Sequence, residues 1–159
     1  MSIPEFIVAV PARFSASRLP GKPLRLLGGE PIVRHVVRRA LAAGAAEVVL
    51  ATDDPRIAEA VSGLAVRVCM TRSDHPSGTD RLAECAQQCG WADDALVVNL
   101  QGDEPFAPVA ALQCVAATLA ASSAPMATLA SPIGDSATLF DPNAVKVVTD
   151  ATGHALYFS

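Results

Sequence analysis

Four short, unbroken apolar runs separated by helix signals predict an α/β fold. The expected form is a Rossmann-like open, mainly parallel sheet, with helices on both faces in three α/β/α layers. Residues 6–11, 47–52, 65–69 and 96–100 supply the strands. Each run is continuously apolar rather than alternating, the pattern of parallel strands buried on both sides. A loop dense in positive charge directly follows the first strand, where open α/β sheets hold anionic ligands.

The remaining elements follow from their start and stop signals. Residues 24–27, before Gly28 and Gly29, form a small hairpin or turn. Pro31 suits the first position of a helix whose apolar stripe is Ile32, Val33, Val36, Val37, Ala40 and Leu41, and Gly44 ends it. Arg34 and Arg38 fall on the opposite side and read as a solvated face rather than a binding patch. Asp54 and Pro55 open a short helix that runs to about residue 62. A polar loop over 71–79 leads to a helix over 80–89, closed by Gly90. After Gly102-Asp103-Glu104-Pro105 an alanine-rich helix covers 108–120, and 126–132 is expected as another strand. Residues 145–149 and 155–159 read as a hairpin around Asp150 and Gly153. A sequence that stops inside a strand, with nothing to cover it, reads as cut short.

The chain of 159 residues is long enough for one domain with a real core, so 1–159 is expected as a single nucleotide-binding α/β domain and the N-terminal fragment of a longer enzyme. A content of 51% hydrophobic and 18% charged residues argues against disorder. Aromatic residues make up only 4%, too few for the stacking platforms of single-stranded nucleic-acid binders, and a net charge of −4 disfavours a broad basic footprint. Nucleic acid is therefore not expected as a partner. No apolar run approaches the length of a bilayer span and no signal peptide opens the chain, so no membrane partner is expected and the localisation is expected to be cytoplasmic. Cys69, Cys85, Cys89 and Cys114 include no C-x-x-C pair. Cys85 and Cys89, four apart, could present two thiolates on one helix face, but no histidine lies near them to complete a zinc set. Buried free thiols are the expectation.

Four of the chain's 12 basic residues, Arg13, Arg18, Lys22 and Arg25, fall within 13 positions, where an even spread would place about one. No acidic residue lies between Glu5 and Glu30 to neutralise them. In a sheet of order 3-2-1-4 the first and fourth strands are neighbours, and the crevice between their carboxyl ends takes the ligand. The loop after the first strand brings Arg13, Arg18 and Lys22 to that crevice. The loop after the fourth brings Gln101, Asp103 and Glu104. Cations for phosphates thus meet a carboxylate for a hard divalent ion such as Mg²⁺. Arginine can grip two phosphate oxygens, while lysine acts as a point charge. Two plainer readings stand beside this one: the basic loop as a solvated turn, and Asp103-Glu104-Pro105 as a cap for the following helix. Arg72, Asp74, His75 and Arg81 read as loop and helix-surface polar groups before they read as catalysts.

Several reaction classes lack their motifs. No G-x-G-x-x-G follows the first strand, and no G-x-x-x-x-G-K-[ST] occurs, which disfavours dinucleotide-dependent dehydrogenases and P-loop enzymes. G-x-S-x-G is missing as well, which removes the simplest hydrolase.

The words of the sequence carry a resemblance. Pro11-Ala12-Arg13, Arg18-Leu19-Pro20-Gly21-Lys22-Pro23-Leu24, Ala51-Thr52-Asp53, Cys69-Met70-Thr71-Arg72 with His75 and Ser77-Gly78-Thr79, and Asn99-Leu100-Gln101-Gly102-Asp103-Glu104-Pro105 closely resemble the 3-deoxy-manno-octulosonate cytidylyltransferases. Pro142-Asn143-Ala144-Val145-Lys146-Val147-Val148 and Ala155-Leu156-Tyr157-Phe158-Ser159 continue the match over almost the whole chain. The resemblance implies a sheet of the nucleotide-diphospho-sugar transferase type. It implies CTP and 3-deoxy-D-manno-octulosonate as substrates, CMP-sugar and pyrophosphate as products, Mg²⁺ as cofactor, lipopolysaccharide synthesis as the setting and a homodimer for the full-length form. On that template Arg13 and Lys22 hold the triphosphate and Asp103 ligates magnesium, and these three are the catalytic set. Pro11, Ala12, Arg18 and Gln101 complete the nucleotide contact, while Arg72, Ser77, Gly78, Thr79 and Arg81 frame the cytosine pocket. Ala16 stands where the family usually has a serine. The part of the family pattern beyond this chain carries sugar-binding groups, a second metal-binding aspartate and much of the dimer interface. The rivals are an acylneuraminate cytidylyltransferase, a nucleotide-sugar-dependent glycosyltransferase, and a truncated, catalytically inactive nucleotide-binding module.

Overall fold

A run of small and branched apolar residues with no interior glycine favours an extended strand that can be buried on both sides. In the computed structural model, described for residues 3–15 and 19–159, four such strands form one parallel sheet. They are β1 (Ile7–Ala12), β4 (Glu47–Thr52), β5 (Arg67–Met70) and β6 (Val97–Asn99), in the order β5-β4-β1-β6. Val8 lies opposite Val48 on one side and Val98 on the other. This is the 3-2-1-4 order expected from the sequence, with the first and fourth strands adjacent.

Alternate residues of β1 and β4 feed two cores. Val8, Val10, Ala12, Val48 and Leu50 face a layer of three helices: α1 (Ile32–Ala42), α2 (Pro55–Ala60) and α4 (Val109–Ala120). Ala9, Val49 and Ala51 face α3 (Gly78–Cys89) with Leu82 and Cys85. The three layers thus follow from the two-residue period of strands that are apolar throughout.

Local signals set the helix ends. Val33, Val36, Val37 and Ala40 are the buried stripe of α1, and Gly44 follows at φ 71°, a left-handed conformation that favours glycine. Asp54 caps α2 by accepting from the Arg56 backbone N–H at 2.9 Å. Ser77 caps α3 by accepting from Asp80 N at 3.2 Å, and Gly90 ends that helix at φ 70°. The short hairpin before α1 pairs β2 (Leu26–Leu27) with β3 (Glu30–Pro31). Arg38 pairs with Glu30. Arg34 also reaches across to donate to the carbonyls of Ala60 and Ser62 at the end of α2, so this arginine serves tertiary packing as well as solvation.

The single domain expected over 1–159 meets a division into two compact units, Met1–Ala127 and Thr128–Ser159. In the second, α5 (Ser136–Phe140) is capped by Asp135, which accepts from Thr138 N at 2.7 Å. It is followed by the expected hairpin of β7 (Val147–Thr149) and β8 (Ala155–Phe158). The strand expected over 126–132 is corrected: these residues have no ladder partner, and Met126 and Leu129 are exposed. An apolar run without an adjacent strand has nowhere to send its backbone hydrogen bonds.

Leu50, fully buried between β4 and the three-helix layer, is the side chain through which this core should respond most clearly. Leu50→Ala is expected to destabilise by about 2–5 kcal/mol, against ±0.5 kcal/mol for Val148→Ala on the exposed hairpin, as read by urea midpoints at unchanged m-value.

Candidate functional site

The first loop is tied back onto the strand it leaves. Gly21 donates from its backbone N–H to Phe14 O at 2.8 Å, closing the loop onto the end of β1. Gly21 sits at φ 68°, and a Cβ there would lie 2.9 Å from the Phe14 ring, so this position is suited to glycine on two counts. The Arg56 guanidinium stacks over the same ring, 3.8 Å from its centroid. Arg56 is held in turn by Asp54 at 2.6 Å. One turn of 3₁₀-helix, Lys22–Leu24, then presents the Lys22 side chain.

The fourth loop arrives alongside. Leu100 and Gly102 continue the β6 side of the ladder by donating to Ala9 O and Pro11 O at 3.0 and 3.2 Å. A Cβ on Gly102 would meet Pro11 O at 2.7 Å, so the two loops approach as closely as backbones can. The consequence is an ion pair between Lys22 Nζ and Asp103 Oδ2 at 2.6 Å, across 81 residues of sequence. Asp103 therefore does not cap α4, whose N-cap is Pro108 without any side-chain bond. Both partners are accessible, with 36% and 46% of their side chains exposed, so the pair stays open to exchange with a ligand.

Beside this pair lies a cleft at the carboxyl ends of β1 and β6. Pro11, Ala12 and Arg13 form one wall, Ser77, Gly78 and Arg81 of the α3 amino end another, and Gln101 the third. Gly78 permits the helix to come this near, since a Cβ would stand 3.3 Å from Pro11 Cγ. The cleft encloses about 110 Å³, far below the roughly 300–1,000 Å³ of a small-ligand pocket, so it can seat only one part of a nucleotide-sized molecule. A larger hollow of about 320 Å³, lined by Gln87, Trp91, Asp93 and Val97, sits at the carboxyl end of α3 and has no basic lining residue.

Arg81 is the surprise of the site. Read from sequence first as a helix-surface group, it is 2% exposed, and the surface reading is corrected. Its position four residues into α3 turns it inward between the sheet and the cleft. One guanidinium nitrogen donates to Thr71 Oγ1. The other lies 3.5 Å from Asp53 Oδ1, and neither of these two atoms has a hydrogen-bond partner among the described residues. Leaving a buried donor of this kind unmade costs about 1–3 kcal/mol. Asp53 was missed as a site residue; its place immediately after the second strand was the available signal.

The polar loop after β5 is fixed from α3. Glu84 bonds His75 Nε2 and accepts from the Arg72 backbone N–H at 3.1 Å. The hydrogen bond from His75, above all, holds the Glu84 carboxyl below its usual range. His75 is thus occupied in positioning. Arg72 and Thr79 are exposed and do not line the cleft; Arg72 pairs with Asp74 at 3.0 Å. Arg18 lies outside the described residues.

Comparisons with known proteins identify the family. A family model described as cytidylyltransferase matches residues 7–159. The 3-deoxy-manno-octulosonate cytidylyltransferase of Stenotrophomonas maltophilia is 66% identical over 156 residues, covering 98% of this chain and 61% of the relative. That of Xylella fastidiosa is 62% identical over 160 residues, covering the whole chain and 62% of the relative. The chain thus spans about 60% of the length of the curated relatives it matches. A solved CMP:2-keto-3-deoxy-manno-octonic acid synthetase, complexed with CTP, superposes with a TM-score of 0.83 at 38% identity, over 98% of this chain and 64% of that one. By sequence match and by fold, the chain belongs to the cytidylyltransferase family.

Proposed function

We propose that this chain carries the nucleotide-binding part of a 3-deoxy-manno-octulosonate cytidylyltransferase, which joins CMP from CTP to the sugar acid and releases pyrophosphate. The observation that carries the reading is the meeting of Lys22 and Asp103 beside a cleft lined by Arg13 and Arg81. The two named relatives and the CTP-bound neighbour support the choice of nucleotide and sugar.

The cleft volume decides how a nucleotide would lie. A nucleoside triphosphate is larger than about 110 Å³, so part of it must lie outside the cleft, on the side where Lys22 and Asp103 stand. Arg13 and Lys22 there neutralise phosphate charge. Arg81, held between Thr71 and Asp53, contributes its positive charge to the wall of the cleft. The amino end of the 12-residue helix α3 adds its positive dipole end nearby. The sugar's anomeric hydroxyl attacks the α-phosphorus in line, the bond to the β-phosphate oxygen breaks, and the hydroxyl proton goes to solvent. Positioning and charge neutralisation account for the catalysis, with no covalent enzyme intermediate.

Magnesium fits the residues present. Asp103 offers a hard carboxylate oxygen in an accessible place, and Mg²⁺ is usually held by one or two carboxylates with phosphate oxygens and water. When bound, the ion would screen charge on the phosphates.

Titration calorimetry of this chain with CTP and Mg²⁺ is expected to show binding that Lys22→Ala weakens about tenfold or more, the scale of one charge-assisted hydrogen bond. Absence of CTP binding, or equal affinity in the variant, contradicts the reading. Arg81→Lys, which keeps the charge but loses the planar fork, is expected to weaken CTP by a similar factor; unchanged affinity would remove Arg81 from the nucleotide site. Pyrophosphate release from CTP is expected to require octulosonate and to ignore N-acetylneuraminate, and the reverse dependence would move the enzyme to the acylneuraminate class.

A further inference from the structure

Three cysteines that the cleft does not use converge on the α3 side of the sheet. Cys69 comes from β5, and Cys85 and Cys89 come from successive turns of α3; their sulfurs all lie within 4.8 Å of one another. The Cys85 and Cys89 sulfurs are 3.9 Å apart. Tetrahedral coordination with metal–sulfur bonds of about 2.3 Å sets sulfurs roughly 3.8 Å from each other. One pair therefore already has the spacing of a metal site, and the others exceed it by no more than about 1 Å, within reach of small side-chain shifts.

The surroundings select the kind of ion. Ala9, Val49, Ala51 and Leu82 pack around the sulfurs and supply no oxygen ligand, so a hard cation has nothing to bind. Cys69 Sγ donates to Gln88 Oε1 at 3.4 Å, which places one neutral oxygen at the edge of the trio. Cys89 is half-buried and gives a path in from the surface.

We propose that Cys69, Cys85 and Cys89 bind a soft, thiophilic divalent cation of the zinc and cadmium class, with Gln88 or water in the fourth position. Each thiol gives its proton to solvent as its sulfur bonds to the ion. The ion would staple α3 to the edge strand β5. Since α3 also carries Ser77, Gly78 and Arg81 at its other end, the staple and the cleft share one rigid element.

The test uses Zn²⁺ in competition with a chromophoric chelator and Cd²⁺ followed by its sulfur-to-metal charge-transfer absorption. One ion per chain is expected, with a thermal midpoint raised by Zn²⁺. Cys89→Ser, at the half-buried position, is expected to weaken binding about 100-fold, as is Cys69→Ser, while Cys114→Ser at an exposed position of α4 leaves it unchanged. No uptake by the wild-type chain, or uptake that survives Cys89→Ser undiminished, overturns the proposal and leaves the three thiols as core packing.

Discussion

The contact between the Lys22 ammonium and the Asp103 carboxylate is the point on which the site depends. Two unit charges about 4 Å apart at an effective dielectric of about 20 attract by roughly 4 kcal/mol before desolvation. With both groups more than a third exposed, the net worth of such a pair to stability is only about 0–1 kcal/mol. Its importance is therefore positional. It records that the loops after β1 and β6 end at the same place, and its weakness lets either partner turn to a ligand. A phosphate oxygen can take the lysine and a cation the carboxylate with little loss to the fold.

What brings the two loops together is packing rather than charge. β1 is bonded to β4 and β6 on its two edges, and its alternate residues feed both cores. The carboxyl ends of β1 and β6 are consequently fixed before either loop begins. Gly102 and Gly78 then remove the side chains that would hold backbone and helix apart. Arg81 closes the arrangement from beneath, a buried guanidinium tied to Thr71 and facing Asp53. Removing either partner of a buried charge pair is costly, so Asp53 constrains Arg81 even at 3.5 Å without a hydrogen bond.

Much of this was legible in the chain. The parallel, doubly covered sheet followed from four continuous apolar runs, and the strand order and the position of the site followed from the general rule for doubly wound sheets. Pro11, Ala12, Arg13, Ser77, Gly78, Arg81 and Gln101 were named from the sequence and meet in one cleft. The side-chain roles were harder to read. Arg81 is charged and sits among polar residues, and only the packing of α3 against β1, β4 and β5 turns it inward. Asp53 and Arg81 are 28 positions apart and share no local pattern. The cysteine trio escaped for the same reason: Cys85 and Cys89 signal each other through helical spacing, but Cys69 joins them only through the register of α3 against the edge strand. The apolar stretch over 126–132 misled because strand propensity counts for nothing without a neighbouring strand.

The exchange of partners at Lys22 and Asp103 is open to one direct measurement: CTP affinity of Asp103→Asn with and without Mg²⁺. Freed from its carboxylate, Lys22 should hold metal-free CTP more tightly than in the wild type, while the Mg²⁺-loaded nucleotide, robbed of an oxygen ligand, should bind more weakly. A variant that binds both forms as the wild type does would mean that the two side chains meet without serving the nucleotide.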